Sequence, residues 1–504
     1  MKPRRATGVS GAGGHYMKRF LATAILLALV LAQPAFADGT PIAGLSRYRL
    51  DNGLELFVLE NHQVPLARIQ ITFRCGSITQ KPETAGLFHF YEHMLFKGNS
   101  RYRTETEFSA AMTDLGVAEW NGGTSTEYVT YYFTVPSNKT EAGLEFWSYA
   151  MREPLFDAGE LEVEKGVVSN EINGYLSDPD HVYSAAMDRL LFSKYPWRRD
   201  VGGYEKIIRS ATVDTMRSIQ STYYLPNNAA LFVGGDVDPQ AVFALVNKWY
   251  GMWKRDADPW KSPAPAHPSP GLKKTAYVVY PDESLPKGIG YVEMRMRGPD
   301  VLADPKATYA ADVWGYLLQN PDGRFKSEVY DKVPALYDKD YTAAYYYTQR
   351  DGGQIFFSTY LMIDAANAPL ADRAKTFFRK VVRDDEVQAM VHEDSYFASD
   401  EFGTVKQKME DEQILSLETP EKFIETLSFW WSVASTDYFF GYVPSMKKVA
   451  PADIAAFLDT YVLKNVEIVA LRVNPADFTE EKDSLLAAGF TVVSPENAFW
   501  WRVE

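Results

Sequence analysis

Apolar and polar positions divide the chain into distinct stretches. Residues 87–96 are apolar except for His89, Glu92 and His93, and read as a buried helix. Residues 160–175 read as a second helix. Its Glu160 and Glu162 fit a solvated face, while Glu164 and Glu171, two turns apart, share a face flanked by Val167, Val168 and Ile172. Residues 69–76, 229–233 and 466–471 read as strands, and residues 120–132 as a turn followed by a strand rich in Thr, Tyr and Phe. Between residues 256 and 271 the prolines of DADPWKSPAPAHPSPG prevent regular structure and stiffen a connection.

This stretch separates two parts that echo one another. Thr222-Tyr-Tyr-Leu-Pro-Asn227 returns as Thr460-Tyr-Val-Leu-Lys-Asn465, each after an amphipathic helix-like segment and before an apolar strand. Phe73-Arg-Cys-Gly76 has a looser echo in Met296-Arg-Gly298. The pattern predicts a duplicated α+β unit, with strands and helices packed on one face. The predicted divisions are 38–255, a linker at 256–271, and 272–504. At 504 residues, the chain has room for about two to four domains.

The amino-terminal stretch reads as an address. Lys18-Arg19 precede an apolar run at 20–31, and Ala35-Phe36-Ala37 fits a cleavage site. Residues 1–37 are therefore expected to be a signal peptide, with 1–16 an upstream extension and Met17 the start. An uncleaved anchor is the competing reading. The expected location is beyond the inner membrane, in the periplasm. Removing 1–37 takes away five cations and no acids, so a net charge of −14 becomes −14 − 5 = −19. Such a charge disfavours nucleic acid and anionic membrane surfaces as partners. Hydrophobic residues at 46% and charged residues at 23% exclude a disordered chain. Cys75 is the single cysteine, which excludes an internal disulfide.

Candidate chemistry centres on His89-Phe-Tyr-Glu92-His93, an H-x-x-E-H pattern. On a helix, His89 and His93 project to one side and can reach one ion, and Glu92 lies close enough to act as a general base for a metal-activated water. A third ligand must come from elsewhere. Glu171 is the best-placed candidate, and a solvated acidic helix is the competing reading for it.

The stretch HFYEHMLFKGN at 89–99, with Glu164-x6-Glu171, resembles the pitrilysin/insulinase family of zinc peptidases. It is most similar to the branch of shorter chains that includes the mitochondrial processing peptidase β subunit and bacterial periplasmic relatives. The resemblance implies an α+β fold of two homologous units, each a mostly antiparallel sheet with helices packed on one face, together forming half of a clamshell. It implies Zn2+ held by His89, His93 and Glu171, with Glu92 as general base and Glu164 supporting catalysis. Residues 120–132 resemble the family's substrate strand, to which a peptide adds as an extra strand. That makes Asn121, Gly122, Gly123 and Thr124 the expected substrate contacts, with Gly122 where the family usually has Ala.

In the second unit the resemblance weakens. The helix comparable to the H-x-x-E-H helix, 307–318, has neither His nor Glu, which leaves that unit without zinc chemistry. Family members carry there an Arg-x6-Tyr pair that stabilises the oxyanion. Here Tyr337 falls at the Tyr position and Tyr330 replaces the Arg. The resemblance therefore implies a zinc endopeptidase subunit acting on unfolded peptides, completed by a homologous partner that bears the Arg/Tyr pair, or otherwise a homodimer. The alternatives are a catalytically weak binding or assembly subunit, and a zinc hydrolase acting on something other than peptides.

Overall fold

Among the described residues, twelve strands build two six-stranded sheets. The computed structural model describes residues 42–502, except 334, 365, 367, 394, 398, 416 and 417. The stretch read as a signal peptide, 1–37, lies outside the described residues.

The first sheet contains β1 (Leu45–Arg49), β2 (Glu55–Glu60), β3 (Leu66–Phe73), β4 (Glu119–Thr124), β5 (Val129–Pro136) and β6 (Ala229–Gly235), in the order β1-β2-β6-β3-β5-β4. The second contains β7 (Ala276–Pro281), β8 (Ile289–Arg297), β9 (Ala343–Tyr347), β10 (Gln354–Met362), β11 (Glu467–Val473) and β12 (Thr491–Val492), in the order β12-β7-β11-β8-β10-β9. Only β2–β6, β7–β11 and β7–β12 pair in parallel. The two apolar runs seen in the sequence are β6 and β11, which occupy equivalent third places. The FRCG and MRG echoes fall at the ends of the equivalent strands β3 and β8. The two halves are homologous α+β units, as expected.

Seven helices matter for the site: α1 (Leu87–Leu95), α2 (Thr140–Arg152), α3 (Ala158–Tyr175), α4 (Pro179–Leu191), α5 (Pro239–Tyr250), α6 (Pro305–Leu318) and α7 (Pro420–Val433). Strand β3 shows how the first sheet is covered. Side chains alternate across a strand, so Ala67, Ile69, Ile71 and Phe73 enter a core shared with apolar residues of α1, α2 and α5. Arg68, Gln70 and Thr72 point the other way and are also buried. Their cover is α7, a helix of the second half: Arg68 donates to Glu425 at 2.9 Å and Gln70 to Ser428 at 2.7 Å.

The second sheet is covered reciprocally. Val182, Tyr183, Ala186 and Met187 of α4 pack on Val278, Ile468 and Ala470. Each half thus lends one helix to the other's sheet, and each sheet has helices on both faces. The proline-rich stretch carries one short turn, Pro259–Lys261, and is tied down beyond it. The His267 backbone N–H donates to Asp351 at 2.9 Å, its Nδ1 lies 3.0 Å from the same carboxylate, and Arg198 donates to the Pro265 carbonyl at 2.6 Å.

Candidate metal centre

Helix α1 begins where two loops touch. Gly86, at φ 89°, precedes it, and a Cβ there would lie 2.5 Å from the Gly202 carbonyl oxygen. Only glycine permits both that conformation and that approach. From this start the apolar side of α1 (Phe88, Phe90, Tyr91, Met94, Leu95) is buried in the first core, which turns His89, Glu92 and His93 toward α3.

Asp157 caps α3 through the N–H groups of Gly159 and Glu160. Two turns apart on this helix, Glu164 and Glu171 both face α1. His89 Nε2 and His93 Nε2 are 3.2 Å apart. Glu171 places Oε1 3.5 Å from the first and Oε2 3.4 Å from the second. Three ligands held about 2.0–2.1 Å from one tetrahedral ion stand roughly 3.3–3.4 Å from each other. The donor set, two imidazoles and a carboxylate, is one that a catalytic zinc takes. Among the described residues, His89, His93 and Glu171 are the one group of three able to hold a metal ion.

Electrostatics follow from this crowding. Burial, aided by the charge of His93, lowers the His89 imidazole to about 4. Burial also works against charge on His93, but hydrogen bonds to Glu164 and Glu171 and the charge of Glu92 push it up to about 9. The bond to His93 holds Glu171 down to about 2 against its own burial, helped by the Tyr175 hydroxyl. Burial raises the Glu92 carboxyl, opposed by its bond from Thr124. A divalent ion among these carboxylates would replace the proton on His93.

Glu164 stands behind the cluster. Its Oε1 lies 2.8 Å from His93 Nδ1, and its Oε2 lies 2.8 Å from Lys97 Nζ. Glu92 is not part of that group of three. Its Oε2 accepts from Thr124 Oγ1 at 2.8 Å, and its carboxylate borders a cavity of about 590 Å³ lined also by His89, His93, Glu171, Gly122 and Gly123. The opposite wall comes from α4 and the segment after it, with His181, Asp188 and Arg199.

Strand β4 is the free edge of the first sheet beside this cavity. Asn121 accepts from the Gly122 N–H at 2.9 Å and is exposed one residue before the lining begins. A Cβ on Gly122 would lie 2.8 Å from the Phe96 ring and 3.1 Å from Glu92 Oε1, whereas one on Gly123 would meet nothing within 4 Å.

Tyr337 is not brought to the cluster. Its N–H donates to the Tyr360 carbonyl and its ring packs on Tyr341. Tyr360 is six residues along β10 from Gln354, which reaches Asp188 at the cavity wall. At ~3.3 Å per residue, roughly 20 Å of strand separates Gln354 from Tyr360. Tyr330 is likewise exposed on the second half. The sequence reading missed Tyr175, which donates to Glu171. Its position four residues after Glu171 was the available signal.

Residues 56–201 match the family described as Insulinase (Peptidase family M16), and residues 210–387 match the one described as Peptidase M16 inactive domain. The chain belongs to peptidase family M16. Among curated relatives, this M16 chain is 28% identical over 210 residues to the uncharacterized zinc protease YmxG of Bacillus subtilis, covering 42% of this chain and 51% of that one. It is 26% identical over 207 residues to a probable mitochondrial-processing peptidase subunit beta of Arabidopsis thaliana, covering 41% and 39%. The chain thus spans about half the length of the curated relatives it matches, or less. In fold it resembles the first half of the periplasmic protease PqqL from Escherichia coli, with a TM-score of 0.71 at 16% identity, covering 92% of this chain and 98% of that half. Against full-length PqqL the match covers 51% of that chain.

Proposed function

We propose that this M16 chain is the zinc-bearing subunit of an endopeptidase that hydrolyses unfolded peptides. The observation that carries the proposal is the cluster of His89 Nε2 and His93 Nε2, 3.2 Å apart, with the two Glu171 carboxylate oxygens 3.5 and 3.4 Å from them, and the Glu92 carboxylate on the same cavity. In this reading 38–255 is the catalytic unit, 256–271 the linker and 272–504 the unit without zinc. A bound zinc would make the attacking water acidic and polarise the peptide carbonyl.

The chain's own residues do the rest. Glu92 takes the proton of the attacking water and later delivers it to the leaving amine. Thr124 orients that carboxylate. Glu164 holds His93 from behind, and so acts as a positioning residue. The free edge of β4 accepts the substrate as an additional strand, with main-chain hydrogen bonds at 121–124.

Oxyanion stabilisation calls for charged or strong donors, and the two arginines on the cavity are engaged through their terminal nitrogens. Arg189 pairs with Asp200 at 2.8 Å, and Arg199 donates to Gln349 at 2.9 Å. Tyr337 lies far along the second sheet. A partner subunit supplies these donors in our reading, which the likeness to one half of PqqL supports. The likeness to PqqL, a periplasmic protease, together with the address read at 1–37, supports a periplasmic location.

The test is cleavage of a quenched peptide pool by the purified protein, with zinc measured in the same sample and Glu92→Gln as blank. One zinc per chain, with cleavage above the blank alone or after adding a homologous chain that carries Arg-x6-Tyr, is the expected result. Protein that takes up no zinc overturns the reading.

A further inference from the structure

Tyr175 lies one helical turn beyond Glu171 on α3, so the two side chains leave the helix on one side. The Tyr175 hydroxyl donates to Glu171 Oε1, the oxygen that stands 3.5 Å from His89 Nε2, and the tyrosine lines the same cavity as the ligands. A glutamate on a half-exposed helix face would otherwise sample several rotamers, and holding it to one costs side-chain entropy. This hydroxyl removes part of that freedom.

The ring is itself fixed by other parts of the chain. It stacks on the His181 imidazole of α4, with centroids 4.7 Å apart and planes 24° apart, and His181 stacks in turn on Phe499 at 6.0 Å and 13°. A Cβ on Gly202 would lie 3.3 Å from the Tyr175 ring, so that backbone also rests against it. Phe499 is buried, with the guanidinium groups of Arg189 and Arg502 4.5 and 4.0 Å from its ring. Both arginines pair with the buried Asp200, whose carboxylate also accepts the Gly203 N–H at 3.1 Å.

We propose that Tyr175 is a positioning residue that presets Glu171 for the metal, and that the segment around Phe499 holds Tyr175 in place through His181. The inference rests on the metal reading above. Residues beyond β12, in the half without zinc ligands, thereby help shape the site.

The experiment is equilibrium competition for zinc between the full chain and a chromophoric chelator. Tyr175→Phe keeps the stacked ring and removes only the donor. The expected result is a ten- to hundredfold weaker zinc affinity, typical for loss of a partner behind a metal ligand, with the unfolding midpoint of chelator-treated protein unchanged. In a Glu171→Ala background, which removes the acceptor, Tyr175→Phe should cost nothing further. Phe499→Leu should weaken zinc in the same direction by a smaller factor. Parent affinity in Tyr175→Phe, or an equal loss in the Glu171→Ala background, overturns the role of Tyr175. Parent affinity in Phe499→Leu overturns the role of the carboxy-terminal segment. A parent chain that binds no zinc overturns the metal reading and this inference together, whereas zinc binding by the parent keeps the two separable.

Discussion

The Glu164 carboxylate lies 2.8 Å from His93 Nδ1, the ring nitrogen turned away from the ligand cluster. A proton shared there leaves Nε2 free to ligate and fixes the ring plane. The other Glu164 oxygen is held by Lys97 at 2.8 Å. Glu164→Gln should therefore weaken zinc by about ten- to hundredfold, less than Glu171→Gln, which removes a ligand. Zinc retained after exhaustive dialysis, compared across the two variants, checks the order.

Glu92→Gln makes the opposite prediction. Glu92 is not one of the three clustered ligands, so the variant should bind zinc like the parent. Loss of the base should lower turnover by roughly 10²–10⁴-fold. Steady-state cleavage beside metal content in one preparation tests this, and near-normal turnover would remove Glu92 from the chemistry.

The neighbouring glycines should separate packing from substrate binding. Gly122→Ala would press a methyl on the Phe96 ring at 2.8 Å and crowd Glu92. Overpacking of this kind costs about 1–3 kcal/mol, so the melting temperature and kcat should both fall. Gly123→Ala meets open space. It should leave the melting temperature alone and raise KM if the peptide lies along β4.

The pH dependence of stability should carry a mark from Asp312. This carboxyl sits on α6 and accepts from Tyr442 at 2.9 Å. Burial among neighbouring tyrosines pushes it from 3.8 up to about 7, against that hydrogen bond. Between those values the folded protein keeps a proton that the unfolded chain has released. The contribution is therefore complete below about 3.8 and is lost as pH rises through about 7. Asp312→Asn should gain on the parent in urea midpoint between pH 5 and pH 8. A constant difference across that range would dismiss the effect.

Much of the site was legible because it is local. The histidine spacing on one apolar helix and the Glu164–Glu171 spacing on another each fix a face, whatever surrounds them. Strands β6 and β11 were legible because a buried strand reads as an apolar run. What covers the polar face of β3 was not, since Glu425 and Ser428 lie more than 350 residues away, at separations of 357 and 358. For the same reason the proline-rich stretch read only as a stiff connector, because the partner of His267 is Asp351, 84 residues on. Tyr337 was placed by spacing within a weak motif, and spacing could not say how far along β10 its loop would pair. Tyr175 went unread because its one signal, a place four residues after Glu171, says nothing of the His181 and Phe499 rings that fix it.

The exchange of α4 and α7 bears on what a gene duplication leaves behind. Once each copy roofs the other's sheet, neither is a spare. The copy without ligands can lose its own chemistry, yet it cannot be deleted without stripping the cover from Arg68 and Gln70 and undoing the wall on which His181 and Asp188 sit. Severed at the proline-rich stretch, the halves should be insoluble apart and should regain structure only when refolded together. The silent copy is held in the protein by what it shelters.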